Sequence, residues 1–548
     1  MVTSVHLSTA NVGGACLLAM LPEDILWKIF SINANMHNDK SHRMYSADKL
    51  DDWDTRALTT TWNCTHVCRQ WRELVIGAAS LWGNLIDLDA MAFIDPVWRE
   101  EILARTGKSA LFVAGKIFGQ KQPEREILIP IIKLHWRRIR FFRVSVTSTE
   151  SFPLGTWDPF YFPTPALEVF HFRVSDDLPL RHNSETVDQQ PLFANDAPRI
   201  HTISTWKLSS FLLPDLQWIS QLRHLDMSYT RSMSISNWLQ LLEKMPMLET
   251  VYLMFAIWPV PDLSWREDLL YVSLPCLEDL SISDDTTSCA LLLDHITPKV
   301  GCVLSMYTPH TEPASPLEAP TVSLLSRVIT RYALNWLKVK TLKSVALNIL
   351  HQSIQFAECR RTRQHDPNIP IFETDLQCVR LQEFSLLLTL LRSYLPCDFS
   401  SVTSLDLFVE LFHTQSLDDN VYDLFRAFSA VEELSFIQAD TFQHFWRFVE
   451  RKHVEEQGSG TILFPYLHTL KLVEGTTSST MITLDTILAF VKYRKGVKAS
   501  IRLIDLQSWT AIKELDLRYF EVFDGLKIVF RDETLGDAVR EKICGKLW

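Results

Sequence analysis

Glycine is scarce in this chain of 548 residues, with only 16 in all. Neither a Gly-x-Gly-x-x-Gly nor a Walker-type phosphate loop occurs, so the backbone cradles that hold nucleotide phosphates are not encoded. His-Glu-x-x-His and Gly-x-Ser-x-Gly are missing too, which removes the common zinc-hydrolase and serine-hydrolase signatures. A surplus of positive charge is also lacking. The formal net charge is −11, whereas phosphate neutralisation needs a basic excess, so no nucleic-acid partner is expected. The short run Arg137, Arg138, Arg140 and Arg143 reads as a solvated strand face. No stretch reaches the roughly 18 uncharged apolar residues of a membrane span, so no membrane partner is expected. Residues 1–20 hold no Lys or Arg and so lack the basic start of a secretion signal; they read as a flexible leader.

Paired cysteine spacing is absent. The ten cysteines are scattered, as befits reduced thiols in the cytoplasm and/or nucleus rather than a disulfide framework. Cys64, His66 and Cys68 superficially suggest metal ligands, but on a helix His66 points away from the two thiols, and no second pair lies near in sequence. Asp51, Asp52 and Asp54 read as a solvated acidic loop. No metal, cofactor or catalytic residue is expected.

What is present is the composition of a folded protein, 47% apolar and 22% charged, in a chain too long for one compact core. Residues 21–30 read Leu-Pro-Glu-Asp-Ile-Leu-Trp-Lys-Ile-Phe. Pro22 suits a first helical turn, Glu23 and Asp24 oppose the helix dipole, and Ile25, Leu26, Ile29 and Phe30 form an apolar face. A second helical segment is predicted over Trp62–Leu74, with Cys64, Cys68 and Trp71, and likewise Val67, Trp71 and Leu74, at helical spacing; Leu81 and Trp82 follow.

Leu-Pro-x-Glu/Asp-Ile-Leu at 21–26, Val-Cys-Arg-x-Trp-Arg at 67–72 and Leu-Trp at 81–82 occur in that order. Together they resemble the F-box, the module that docks on a Skp-type adaptor and through it on cullin. The polar insertion at 31–57 is longer than the family's usual loop and resembles insertions in F-box proteins of mushroom-forming fungi. The resemblance implies an adaptor-binding set of Leu21, Pro22, Ile25, Leu26, Ile29, Val67, Cys68, Trp71, Leu74 and Trp82. Physically, a bundle this short can leave an apolar face for a partner's groove. The bland alternative is an ordinary helical pair with all these residues internal.

From residue 136 onward a pattern recurs, with apolar residues at positions 1, 4 and 6. It starts at Trp136, Leu167, Leu222, Leu248, Leu277, Leu342, Leu381, Val402, Val431, Leu467 and Ile512, and a weaker copy starts at Ile200, with Thr205 in place of the last apolar residue. Such triples arise by chance at about one start in ten in a chain of this composition, so two features not used in choosing them matter more. Positions 3 and 5 fall outside the apolar set in 21 of 24 cases, and a proline sits two residues before position 1 in five units, where a strand tolerates it. Helical spacing follows at Ile235–Leu242, Val421–Phe428 and Leu484–Val491. Strand then helix at a quasi-regular period resembles leucine-rich repeats. The periods run long, and Ser175, Thr230, Asp285 and Gly475 stand where a capping Asn is usual. The expected fold class is therefore α/β: a small all-α F-box at 21–90, then an irregular strand–helix solenoid with a C-terminal cap at 91–548. The alternative is an α/β domain with an open sheet.

Positions 4 and 6 should enter the core while 3 and 5 face a partner. A candidate substrate face follows: Asp226, Tyr252, Asp279, Glu383, Asp406, Glu433, Lys471, Glu514 and Asp516. Its acids should favour a basic partner segment toward the C-terminal half, and Arg138 and Arg140 should make the first unit basic. The resemblance implies a non-catalytic substrate receptor of a Skp–cullin–F-box ubiquitin ligase with a protein substrate. The alternatives are a non-degradative interaction scaffold on the same repeats and an enzyme with an active site outside known motifs.

Overall fold

The computed structural model describes residues 21–36, 56–118, 122–148, 152–153, 155–175, 191–207, 215–230, 233–260, 268–309, 317–359, 371–378, 383–411, 416–437, 439–455, 462–473, 484–508, 517–532 and 538–545. The chain is mixed α/β and divides into two compact units, Met1–Leu212 with Leu216–Trp218, and Leu213–Asp215 with Ile219–Trp548.

The first unit contains α1 (Glu23–Asn33), α2 (Ala57–Cys64), α3 (Arg69–Gly77), α4 (Ala79–Gly83), β1 (Ile86–Asp87), α5 (Leu88–Met91), α6 (Pro96–Arg105), β2 (Leu111–Ile117), α7 (Gln122–His135), β3 (Ile139–Val146), β4 (Val169–Val174) and β5 (Thr202–Trp206). β1 to β5 run parallel in chain order. The boundary drawn from sequence at residue 90 falls inside this unit, since Ile86 pairs with Val113. The covered face of the sheet is aromatic. Phe142 stacks on Phe170 at 5.7 Å, and Phe160, from a 3-10 turn at Asp158–Tyr161, meets Phe172 edge-on at 5.0 Å. Offset and edge contacts of this kind add about 0.5–1.5 kcal/mol each beyond area burial.

The second unit holds β6 (His224–Ser228), α8 (Ile235–Glu243), β7 (Thr250–Met254), β8 (Val272–Leu274), β9 (Asp279–Ser283), α9 (Thr286–Asp294), β10 (Ile296–Pro298), β11 (Val303–Thr308), α10 (Ala319–Leu337), β12 (Ser344–Leu350), β13 (Ser353–Glu358), β14 (Glu373–Gln377), α11 (Phe384–Thr389), β15 (Ser404–Glu410), α12 (Asp419–Ala427), β16 (Glu433–Phe436), α13 (Ala439–Glu455), β17 (Thr469–Leu472), α14 (Leu484–Gly496), β18 (Leu503–Leu506), β19 (Lys527–Asp532) and β20 (Ala538–Ile543). β6, β7, β9 and β11 are parallel neighbours, and β15 to β19 form a second parallel run. Between the runs lies a meander. β14 lies parallel to β11 and β12 parallel to β15, while β13 runs antiparallel between them. The reversal follows from the two-residue turn His351-Gln352, too short for a crossover.

Most of the repeat pattern lands on strands. Phe170 and Phe172, Leu225 and Met227, Val251 and Leu253, Leu280 and Ile282, Val345 and Leu347, Leu405 and Leu407, Leu434 and Phe436, and Leu470 and Leu472 are all buried. The helices expected at 235, 421 and 484 form as well, the first two capped by Ser234 and Asp418. Asp285, standing in the position of the missing Asn, caps α9 by accepting from Ser288 N at 3.0 Å.

Four expectations are corrected. In the first unit of the pattern the register slips between Leu111 and Phe112, so Phe142, Val144 and Val146 take the core positions, and Phe141 falls on the other face. The unit at 381–386 is not a strand. Phe384, Leu387, Leu388 and Leu391 are buried at helical spacing in α11 and the 3-10 turn after it, as suits a Leu run without β-branching. Leu517 opens a 3-10 helix, Leu517–Val522; 512–516 lie outside the described residues. The helix expected over Trp62–Leu74 breaks at Thr65–Cys68. Thr65 Oγ1 donates to Trp62 O at 2.7 Å, Arg72 Nε donates to Thr65 O at 2.9 Å, and Cys68 turns extended ahead of α3. The 65-residue gap between Leu277 and Leu342 holds β11 and α10. In β11, Leu304 and Met306 take positions 4 and 6, but position 1 is Gly301 at φ +87, where a Cβ would also meet Val339 at 3.0 Å.

A buried ion pair joins the helices to the first sheet. Arg56, just before α2, donates to Asp87 Oδ1 and Oδ2 at 3.1 and 2.9 Å, and Asp87 also accepts from Ala90 N at 3.0 Å to cap α5. Removing one partner leaves a charge stranded in the interior, at a cost of about 3–5 kcal/mol. Asp87→Ala is therefore expected to lower the unfolding free energy of the first unit by that order in urea titration. The double variant Asp87→Leu with Arg56→Met should recover part of the loss. A loss below about 1 kcal/mol, the range of exposed pairs, would place the pair outside the core.

Candidate functional site

Helix α1 carries two apolar stripes. Leu26 and Phe30 point inward, and Phe30 meets the ring edge of Trp71 at 5.0 Å. Ile25, Ile29 and Ile32 recur at i, i+4 and i+7 and remain exposed, with Pro22 one turn earlier also exposed. Leu21, Trp71 and Leu74 are half-buried, whereas Val67 and Cys68 are exposed. Two residues of the sequence-derived adaptor set are corrected. Leu26 and Trp82 are fully buried, and the Trp82 indole N–H donates to Val75 O at 2.8 Å, so both serve the core. Sequence reading missed Ile32, 59% exposed, because it lies beyond the motif. Much of the insertion, 37–55, lies outside the described residues.

Beside this module a largely apolar cavity of about 340 Å³ is lined by Leu58, Thr59, Trp62, Ala90, Phe93, Ile94, Trp98 and Ile102. Trp62 and Trp98 meet edge-on across it at 5.0 Å. Cys64 is buried and Cys68 exposed, so the two thiols do not share a face. Among the described residues no group of three or more His, Cys, Asp or Glu gathers as metal ligands, and no helix is long and apolar enough to cross a membrane.

The open face of the second unit's sheet carries most of the expected substrate positions. One row reads Asp226, Tyr252, Ser281, Ser305 and Glu373 across β6, β7, β9, β11 and β14. Further along, Asp406, Ser435, Lys471 and Asp505 align across β15 to β18. Glu433 pairs with Lys471 at 2.8 Å, Asp406 accepts from the Cys359 thiol at 2.9 Å, and Asp226 accepts from Ser228 Oγ at 3.2 Å. Glu383 is corrected: it sits buried before α11 and not on the sheet. Glu514 and Asp516 lie outside the described residues. The meander adds carboxylates that sequence reading missed, Glu373 and Asp375, because β14 does not show the apolar triple. Burial, then the neighbouring Glu373, pushes the Asp375 carboxyl up to about 6. Burial alone pushes Asp279 up to about 6.

In comparisons with known proteins, no family model matches the chain, and no curated protein matches it either.

Asp279 gives a pH signature. Its carboxyl titrates near 3.8 when unfolded and at about 6 when folded. Between those values the folded chain holds the extra proton, so this group's contribution to stability falls as pH rises through the window and stays low above it. Asp279→Asn is expected to be more stable than the parent above pH 6 by about 1–2 kcal/mol after discounting for partial exposure. The difference should vanish near pH 4. Urea unfolding of both proteins across that range checks it, and a gap that does not change with pH would overturn it.

Proposed function

We propose that the chain is a non-catalytic substrate receptor of a Skp–cullin–F-box ubiquitin ligase. In this reading the helices of residues 21–90 form the F-box, and the strand–helix units form an irregular leucine-rich-repeat solenoid. The observation that carries it is the second apolar stripe of α1: Pro22, Ile25, Ile29 and Ile32 stay exposed although Leu26 and Phe30 already supply the helix's core face. An apolar stripe left exposed on a short helical module suits a partner's groove. The ordered motifs at 21–26, 67–72 and 81–82 point to a Skp-type adaptor as that partner. The in-register strands, with one face buried and the other rich in Ser, Thr and charge, suit a protein-binding platform.

Buried apolar anchors at an interface are often worth about 2 kcal/mol or more each. Ile25→Asp with Ile29→Asp is therefore expected to abolish co-purification of the adaptor while leaving the thermal midpoint near the parent's, since both residues are exposed in the free chain. Undiminished adaptor recovery by this double variant would refute the docking role. Removing the protein from cells should lengthen the half-life of its partner; an unchanged half-life with adaptor binding intact favours a non-degradative scaffold.

A further inference from the structure

The cavity beside the helical module is built by three helices of the first unit. α2 contributes Leu58 and Trp62, α5 contributes Ala90, and α6 contributes Trp98 and Ile102. Leu58, Ala90 and Ile102 are buried and form the floor, whereas Trp98, 45% exposed, stands at the rim. Side chains that do not line the cavity hold its walls in place. Asp87 accepts from Arg56, just before α2, and from Ala90 N in α5. Arg99 Nε donates to Ile94 O at 2.8 Å and its Nη2 to Ala92 O at 3.1 Å, which ties α6 to the turn after α5. Asp95 caps α6 by accepting from Val97 N at 2.9 Å. The walls are thus ordered by the fold itself, and binding there does not carry the entropic cost of ordering them.

The lining restricts what fits. Among the described residues none of its side chains is ionisable, so a charged group brought there would lose hydration without gaining a counter-charge. The polar groups on the lining side chains are one hydroxyl, on Thr59, and the indole N–H groups of Trp62 and Trp98. The volume, about 340 Å³, is more than twice the roughly 150 Å³ of an apolar cavity that takes one benzene ring. It also reaches the range of small-molecule sites, about 300–1,000 Å³. Trp62 and Trp98 stand at 86° to one another with centroids 5.0 Å apart, and so make a corner. A flat ring stacked on one indole presents its edge to the face of the other, and ring quadrupoles favour both arrangements. We propose that this cavity binds a small uncharged aromatic molecule of about two or three rings. The inference goes beyond the proposed receptor role. Its test uses the purified chain alone, so the outcome is independent of adaptor docking.

The test is fluorescence titration of the full chain with two probes. N-phenylnaphthylamine is neutral and brightens in apolar surroundings; anilinonaphthalene sulfonate has the same rings with a sulfonate added. Saturable binding of the neutral probe is expected, one molecule per chain, with the sulfonate weaker by about tenfold or more. Ala90→Leu fills the floor, and Trp98→Ala removes one side of the corner. Each should lower affinity for the neutral probe about tenfold or more. Leu134, 75% exposed on α7, is outside the cavity, and Leu134→Ser should change nothing. Trp98→Ala keeps the test decisive if the buried Ala90→Leu variant fails to fold. The proposal is overturned by no saturable binding of the neutral probe, by unaltered affinity in folded Trp98→Ala, or by the sulfonate binding as tightly with the same variant dependence. Loss of binding in Leu134→Ser would overturn it too, since the probe would then be reading exposed apolar surface.

Discussion

Each strand in the two parallel runs must pair its backbone with the strand before and after it while sending every second side chain into the interior. That constraint organises the rest. Because Leu405 aligns with Leu434, Leu434 with Leu470, and Leu470 with Ile504, the apolar triples stack as ladders, and a one-residue slip would turn a whole strand inside out. The intervening helices cover the ladder, and the other face is left to carry chemistry. Where the direction reverses at β13, the open face closes on itself. The Asn348 amide donates to Gln355 and the Gln355 amide to Glu373, a side-chain chain that runs across the meander's three strands. The meander therefore interrupts the platform as well as the strand order.

The helical module depends on the same sheet. Asp87 lies in β1, pairs through its backbone with Ala114, and holds Arg56 at the start of α2. The module's orientation on its own sheet is thus set by a desolvated charge pair rather than by shape alone. Within the module, Phe30 against Trp71 and the Trp82 indole bonded to Val75 O fix α1, α3 and α4 together. With the core requirement met by these groups, the stripe Ile25, Ile29 and Ile32 keeps an exposed apolar edge that is available for recognition.

The sequence revealed strands where apolar period, polar alternation and a preceding proline coincided, as at Leu277 and Leu467. It failed where another constraint overrode the period. A register slip at Leu111/Phe112 moved Phe141 to the open face. A leucine run at 386–391 satisfied the strand pattern and the helical one equally, and burial all along it chose the helix. Gly301 hid β11, because the backbone there needs positive φ and forbids the apolar first position. Ile501, Ile504 and Leu506 fit the pattern in β18, but Leu503 at position 3 erased the alternation. In the helical module, periodicity marked Ile25, Leu26, Ile29 and Phe30 as one apolar surface. It carries no information on which stripe the rest of the module covers, and the resemblance that puts Leu26 and Trp82 in the adaptor set carries none either; the core claims both.

Charge counted along the sequence and charge available in the fold are different quantities. The second unit's open face carries more acids, but Glu433 is neutralised by Lys471, and Asp406 and Asp226 accept internal hydrogen bonds. Asp279 and Asp375 spend part of the near-neutral pH range protonated. The acidic field implied by their number is correspondingly reduced. On the first unit's sheet two of the cations named from sequence are spent: Arg140 on Glu168 at 2.7 Å, and Arg138 on Gly107 O and Thr106 Oγ1. An acid that already has a partner adds little to recognition, because recognition depends on the charge left unsatisfied.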